Sequence, residues 1–405
     1  MVIVGGGPAG LTVAACLRRR DIDSIVLDAG SSVGESWRKR YERLHLHTPR
    51  LQSGMPGYSI PRRFGRWVGK DDVATYLTEY ATHHGIEPEH NVTVDRIDIK
   101  EGAFLVSTNK GPRQTANVVM ATGYMRVPSM PSWPGLDSYQ GEVVHAATYR
   151  SADPFRNKRV LVVGTGNTGA EIAADLAEQG AAHVWLAYRT PPHVLTRQIG
   201  PFAATALGFP NQYLPAWLCD PVNWSLEQMT VGDLSAYGLP RPCTGLKAQL
   251  LATEVVPIID VGLIAQLKTG RVEPVPAVES LTETSVTLAE GRSIEPEAVI
   301  VATGYRRGLE DIVGHLGVLN EAGAPIVHGP ETHPHVLGLY FIGMLPTMKG
   351  LLFQINRDSR RRVVGSLASH RVNRQHGLER GEVPSGPTDR NLIGDRSAKF
   401  TRDAL

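Results

Sequence analysis

Two stretches of this chain repeat one order of events: a short apolar run, a glycine turn, a helical segment and a second apolar run. In the first, Val2-Ile3-Val4 passes into Gly5-Gly6-Gly7-Pro8-Ala9-Gly10, a helical segment over 11–20 and a strand over 24–27 ending at Asp28. In the second, a strand over 159–163 meets Gly164-Thr165-Gly166-Asn167-Thr168-Gly169, a helical segment over 170–179 and a strand over 183–188. Each is a βαβ unit. Gly5 and Gly164 are 159 positions apart, too far for a short-period repeat, so the chain is predicted to carry two dinucleotide-binding units. The expected fold class is α/β with two Rossmann-like dinucleotide-binding domains.

A glycine turn alone is a weak signal; its context gives it weight. The first turn follows a strand, opens a helix, and is followed 18 positions after Gly10 by an acidic residue, Asp28, at the end of the next strand. Gly5 permits the tight turn, Gly7 lets backbone N–H groups approach a pyrophosphate, and Gly10 allows close helix–strand packing. Pro8 and Ala9 open the helix, whose N-terminus favours phosphate. Asp28 would accept hydrogen bonds from ribose hydroxyls. Gly164, Gly166 and Gly169, with Asn167 and Thr168 between them, repeat the geometry, but no carboxylate ends the strand that follows. Tyr188-Arg189-Thr190 stands there instead. Arg189 can pair a 2′-phosphate bidentately and Thr190 can donate to it, which selects NADP(H) over NAD. The competing reading of Arg189 is a solvated strand-end arginine.

The second unit is predicted to be inserted in the first. Val299-Ile300-Val301 before Ala302-Thr303-Gly304-Tyr305 repeats Val118-Val119-Met120 before Ala121-Thr122-Gly123-Tyr124, and a further strand over 339–343 closes on Gly343. The expected boundaries are 1–150 for the first part of the first nucleotide domain, 151–300 for the NADP domain, 301–374 for the return of the first and 375–405 for a mobile tail. Residues 201–245, rich in Pro, Trp and Gly, read as irregular surface near a substrate entrance. The opening strand is short, which leaves open a native start upstream of Met1.

Composition removes other classes. A net charge of +2 asks for no nucleic acid or anionic membrane, and no apolar run reaches the roughly 18 residues of a membrane span. Cys16, Cys219 and Cys243 form no CxxC pair, which argues against a disulfide framework, a zinc site or a dithiol centre and for a reducing, cytoplasmic compartment. Among the 14 histidines, His83-His84 and His333-Pro334-His335 lack a third ligand at helical spacing, so no metal is expected.

The segment before the second turn reads Tyr139-Gln140-Gly141-Glu142-Val143-Val144-His145-Ala146-Ala147-Thr148-Tyr149-Arg150. It resembles FxGxxxHxxxY/F-K, the identifying motif of the class B flavin-containing monooxygenases, with Tyr139 for the first aromatic and Arg150 for the lysine. The chain is most similar to the YUCCA-type and bacterial FMO-like enzymes, up to about residue 370. A Baeyer–Villiger oxygenase would carry tryptophan in place of Tyr149. The resemblance implies FAD on the first turn and NADP(H) on the second. It implies hydride transfer to the flavin, reaction with O2 to a C4a-(hydro)peroxyflavin, and oxygenation of a small organic substrate. It runs Trp37 along the flavin and puts His47 near its reactive edge, as the one candidate catalytic residue. Thr122 and Gly123, then Thr303, Gly304 and Tyr305, become connecting motifs beside the cofactors, and His145 a linker that orients them. Gly343 neighbours the flavin, and a helix from Gln354 to about 367 points its first turn at the ring.

Two other readings stay open: a flavin oxidoreductase of the disulfide-reductase or ferredoxin-reductase type, without oxygen insertion, and a non-catalytic sensor of both nucleotides. The resemblance suggests an aryl-pyruvate substrate, while amines and sulfides stay open; oligomeric state is not legible.

Overall fold

The structure, a computed structural model, describes residues 1–207, 213–347 and 349–359. The expected tail at 375–405 and the end of the helix expected to reach 367 lie outside them. The first five-stranded parallel sheet is built from β1 (Val2–Val4), β2 (Ile25–Asp28), β3 (Glu89–His90), β4 (Val118–Met120) and, from far along the chain, Leu339–Phe341. Taking the last as β10, the order is β10-β4-β1-β2-β3. The second sheet comprises β5 (Glu142–His145), β6 (Arg159–Val163), β7 (His183–Ala187), β8 (Val272–Val275) and β9 (Ala298–Val301), in the order β5-β9-β6-β7-β8, again all parallel. Four strands correspond, β4-β1-β2-β3 to β9-β6-β7-β8, while the fifth comes last in the chain in the first sheet and first in the second.

Parallel sheets are covered on both faces, so their strands read as continuous apolar runs. Val2 and Val4 enter one core while Ile3 enters the other. Val160 and Val162 likewise separate from Leu161 and Val163. Crossover helices α1 (Pro8–Arg18) and α3 (Asn167–Glu178) join β1 to β2 and β6 to β7, while α2 (Lys70–His84) packs on α1.

The chain passes from the first sheet to the second after β4 and returns after β9. These two passages are zipped together, Tyr305–Arg306 pairing antiparallel with Val127–Pro128. Ser129 N–H donates to Gly304 O at 3.0 Å, and Thr303 Oγ1 donates to Ser129 O at 2.6 Å.

Two expectations are corrected here. The boundaries at 150 and 300 do not match the sheets, because β5 is an edge strand of the second sheet and Val301 ends β9, its neighbour. Val299-Ile300-Val301 therefore does not rejoin the first sheet. It is the second unit's own copy of β4, standing beside β6 as β4 stands beside β1. The irregular reading of 201–245 also fails in part, since α4 (Ala216–Thr230) lies inside it. Pro221 lies in the second turn of this helix, and Cys219 and Asn223, four apart, supply its buried side.

The segment following β5 locks onto α3. Tyr149 stacks on Phe155 with ring centroids 5.9 Å apart, and its buried hydroxyl donates to Asp175 Oδ2 at 2.6 Å. Removing the hydroxyl strips a buried carboxylate of a donor, for which charged hydrogen bonds set a cost of about 1.5–3 kcal/mol. Tyr149→Phe is expected to lower unfolding free energy by that amount in a denaturant titration; a change below about 0.5 kcal/mol, the usual range for surface substitutions, would contradict the assignment.

Candidate functional site

The glycine turns are duplicates in atomic detail. Gly5 and Gly164 have φ of +110° and +117°, a region that favours glycine. A Cβ on Gly5 would lie 2.6 Å from the Ala121 carbonyl oxygen, and one on Gly164 2.5 Å from that of Ala302. A Cβ on Gly10 or Gly169 would collide with the carbonyl of Gly5 or Gly164 respectively. The third strand of each sheet thus presses against the turn that opens its helix. Gly7 and Gly166 are the N-caps of α1 and α3, make no side-chain cap, and would meet nothing within 4 Å if given a Cβ. Backbone donors at the start of each helix therefore face open space, as a pyrophosphate requires. Pro8 and Asn167 occupy the first helical position, Ala9 and Thr168 the second.

Asp28 lies where the first unit needs an acceptor. Burial raises its carboxyl above the ordinary carboxylate value, against the opposing donation from Gly30 N–H at 3.0 Å. His90 Nδ1 stands 4.0 Å from its Oδ2. At the matching place in the second unit Arg189 and Thr190 are both exposed, and neither side chain has a polar partner among the described residues. Arg189 is thus available to an anion.

The remaining expected residues divide. Trp37 packs half-buried on the core between α1 and α2. Thr122 holds a buried Oγ1 with no partner, and Gly123 and Gly304 take φ of +76° and +86° with open space beside them. A Cβ on Gly343 would lie 3.1 Å from Ala9 Cβ, so β10 ends against the first turn. α5 (Leu351–Asp358) follows, starting three residues before the expected Gln354. Two side chains are already committed to protein groups. Asn167 accepts from Ile259 N at 2.7 Å and donates to Pro257 O at 3.1 Å, while Thr303 is spent on Ser129.

Tyr305 accepts from Arg40 Nη1 at 2.8 Å and meets His145 edge-on, centroids 5.2 Å apart. Ala147 N–H donates to His145 Nδ1 at 3.0 Å, so Nε2 carries the hydrogen and donates to Gly304 O at 3.1 Å. Burial lowers the His145 pKa, which suits this neutral form. His145 and Tyr149 of the motif thus fasten the link before β6 to the returning link and to α3.

Sequence reasoning missed the contacts between residues 41–47 and α3. His47 Nε2 lies 3.0 Å from Glu171 Oε1, the Tyr41 hydroxyl lies against Glu171 and Thr168, and Arg43 reaches Glu178 at 3.0 Å and Asp175 at 3.4 Å. Arg43 also donates to Val261 O at 3.0 Å. Arg197 stacks on Trp67, 4.2 Å from the ring centroid, and donates to Leu46 O at 3.2 Å. The available signal was the spacing of Glu171, Asp175 and Glu178, one face of a helix, opposite alternating Tyr41, Arg43 and His47.

Buried polar atoms at this junction test whether cofactors fit. His47 Nδ1, Thr122 Oγ1, Thr196 Oγ1 and Arg197 Nε are buried without partners among the described residues. Such atoms are costly to strand. With two cradles that a Cβ would fill and a free arginine at the second ribose end, the residues fit FAD and NADP(H). A disulfide-reductase chemistry has no thiol pair to use: none of Cys16, Cys219 and Cys243 is disulfide-bonded to another.

The sequence profile of the pyridine nucleotide-disulphide oxidoreductases matches residues 2–198. The chain is 34% identical over 361 residues to the probable indole-3-pyruvate monooxygenase YUCCA9 of Arabidopsis thaliana, covering 86% of this chain and 85% of that one. It is 33% identical over 359 residues to the indole-3-pyruvate monooxygenase YUCCA1 of Oryza sativa subsp. japonica, 87% of each being covered. Its fold is similar to a flavin-containing monooxygenase from Stenotrophomonas maltophilia, with a TM-score of 0.71, 23% identity, and 91% of this chain and 98% of that one covered. The cyclohexanone monooxygenase from Rhodococcus sp. Phi1 bound to NADP+ gives a TM-score of 0.67 at 18% identity, covering 92% and 84%. A bacillithiol disulfide reductase from Staphylococcus aureus shares the fold at a TM-score of 0.64 and 17% identity, so fold alone does not separate the chemistries. Sequence identity over most of the chain does: it belongs to the class B flavin-containing monooxygenases, FAD enzymes that use NADP(H), and is similar to YUCCA-type members.

Proposed function

We propose that this chain binds FAD on the Gly5–Gly10 turn and NADPH on the Gly164–Gly169 turn, and oxygenates a small organic substrate where residues 41–47 meet α3. The reading rests on one observation above all: two superimposable cradles, one followed by Asp28 and the other by the free Arg189, in a chain aligned with monooxygenases over most of its length. The FAD unit is then made of residues up to about 141 and from about 302 onward, with the NADP unit between them. When bound, FAD takes hydride from NADPH and activates O2; the protein supplies placement and dryness.

Gly7 and the first turn of α1 hold the pyrophosphate of the first nucleotide, and Asp28 takes its ribose. Gly166 and the first turn of α3 hold that of the second, and Arg189 with Thr190 takes the 2′-phosphate. Thr122, His47 and Arg197 supply buried polar atoms at the junction, and Trp67 and Tyr41 exclude water from it. Trp37, Asn167, Thr168, Thr303, Gly304 and Tyr305 set loop positions through packing and backbone.

The substrate class proposed is a small organic molecule, and the names of the relatives make an aryl 2-oxo acid the first to assay. Three cysteines with no disulfide between them favour a cytoplasmic setting. No helix among the described residues is long and apolar enough to cross a membrane.

Two measurements test the proposal. Mixing NADPH-reduced protein with O2 in a stopped-flow spectrometer is expected to give a flavin spectrum that is neither oxidised nor reduced and that collapses when substrate is added. Immediate return to oxidised flavin, with or without substrate, would contradict oxygen insertion. Arg189→Ala is expected to raise KM for NADPH by the equivalent of about 1.5–3 kcal/mol, the range for a charge-assisted bond, and to leave KM for NADH nearly unchanged. Equal losses with both cofactors would refute the 2′-phosphate role.

A further inference from the structure

Helix α3 carries a feature that its twin α1 lacks. Counting from the last glycine of each turn, Glu171 corresponds to Thr12, Asp175 to Cys16 and Glu178 to Arg19. The first unit forms the same strand–turn–helix without an acid at any of these places, so the fold does not require them. In α3 the three carboxylates share one face and line a cavity of about 290 Å³. Their side-chain exposures fall from 36% at Glu178 to 12% at Asp175 and 2% at Glu171. The row thus runs from solvent to the junction where the two cofactors meet.

The outer members are paired with an arginine, whereas the inner one faces His47 and feels Arg197 only through space. Arg43 pairs with Glu178 and Asp175, and Tyr149 donates to Asp175. Arg197, which also lines the cavity, spends itself on the Leu46 carbonyl and the Trp67 ring. Among the described residues Glu171 Oε1 has no hydrogen-bond donor. His47 Nε2 is 3.0 Å away, and the Tyr41 hydroxyl also lies against the carboxylate. Burial and the neighbouring carboxylate push that hydroxyl well above its ordinary value, so it stays protonated. Arg40 and the exposed His45 complete the charged surroundings. A buried carboxylate without a full set of donors is costly, and Arg197, close enough to feel its charge, donates to the Leu46 carbonyl instead.

His47 continues the row. Leu46 before it packs on the core of the first sheet, and Thr48 after it lies against Gly350, just ahead of α5. Its Nδ1 is buried without a partner. The imidazole therefore stands between the α3 carboxylates and the first unit, with one nitrogen toward Glu171 and the other unspent.

We propose that Glu178, Asp175 and Glu171, the polar cavity they line, and His47 form the route by which protons enter from solvent to the flavin. The inference rests on the cofactor reading above. NADPH, O2, substrate and one proton yield NADP+, water and oxygenated product, so every turnover takes a proton from solvent into a site that must otherwise be dry. A polar cavity of this size admits water, which carries the proton past the neutralised Asp175 to Glu171. From Glu171 it passes to His47, and His47 releases it from the opposite nitrogen. Glu171 and His47 are positioning and relay residues in this scheme, and no bond other than those to the proton changes.

The test is proton uptake after flash photoreduction of the FAD-loaded protein by an external photochemical electron donor, whose own proton release is subtracted in a flavin-free control, followed with a pH-indicator dye in weakly buffered solution, without NADPH, O2 or substrate. Glu171→Gln keeps size and hydrogen bonding but cannot relay. It is expected to slow proton uptake at least tenfold while flavin content and the rate of photoreduction stay at wild-type values. Uptake as fast as in wild type would overturn the proposal, as would slowing matched by an equal loss of flavin. Should Glu171→Gln fail to fold, Glu178→Gln at the cavity mouth is read in the same way: several-fold slower uptake supports the route, and no change overturns it. A wild-type protein that takes up protons normally here, yet is not reduced by NADPH, would defeat the functional reading and leave the relay standing.

Discussion

The structure depends on a contact in which no side chain takes part. In each unit the first glycine of the turn presses its α-carbon against a carbonyl of the third strand, Gly5 on Ala121 and Gly164 on Ala302, while the last glycine of the turn packs on the first. That approach holds the helix N-terminus at the end of the sheet, where its free N–H groups can meet a phosphate. A methyl group at any of these four glycines would force backbone apart. Because the third strand leads directly into Ala-Thr-Gly, the same contact sets where the links between the sheets begin. The cradles and the links are one construction, made twice.

From it follows the relation between the units. The two links are paired with each other at Val127–Pro128 and Tyr305–Arg306, and His145 donates to the same carbonyl that Ser129 donates to. The junction is closed on its other side by residues 41–47 lying along α3. Backbone pairing fixes one side and charged side chains the other. A hydride donor held by one unit and an acceptor held by the other need this kind of fixed geometry, since small displacements cost much of the benefit of proximity.

How much of this was legible in the sequence depended on how local the signal was. Gly5, Gly7, Gly10 and Asp28 lie within one βαβ unit, as do Gly164, Gly166, Gly169 and Arg189, and the expected geometry is what the chain adopts. The boundaries were misplaced because Val299-Ile300-Val301 is equally a third strand in either sheet, and only the pairing with Val160–Val163 decides. Helix α4 was hidden by Pro221 and by an outward face carrying Trp217, Val222 and Trp224, which blurs the helical period. Asn167 and Thr303 are legible as members of the motifs, while the backbone groups their side chains bind are distant in sequence. The contacts of Arg43 and His47 with α3 span more than a hundred residues; the acids were visible as a helical face, and their partners were not.

The central claim is that the two turns hold two different nucleotides which meet across the junction. The most direct measurement is the visible absorbance of purified wild-type and Gly164→Ala proteins during anaerobic addition of NADPH. Both proteins should be yellow, because the first cradle is intact in each, and only the wild type should bleach. A colourless wild type that cannot take up FAD, or a Gly164→Ala variant that bleaches as fast as wild type, would contradict the account.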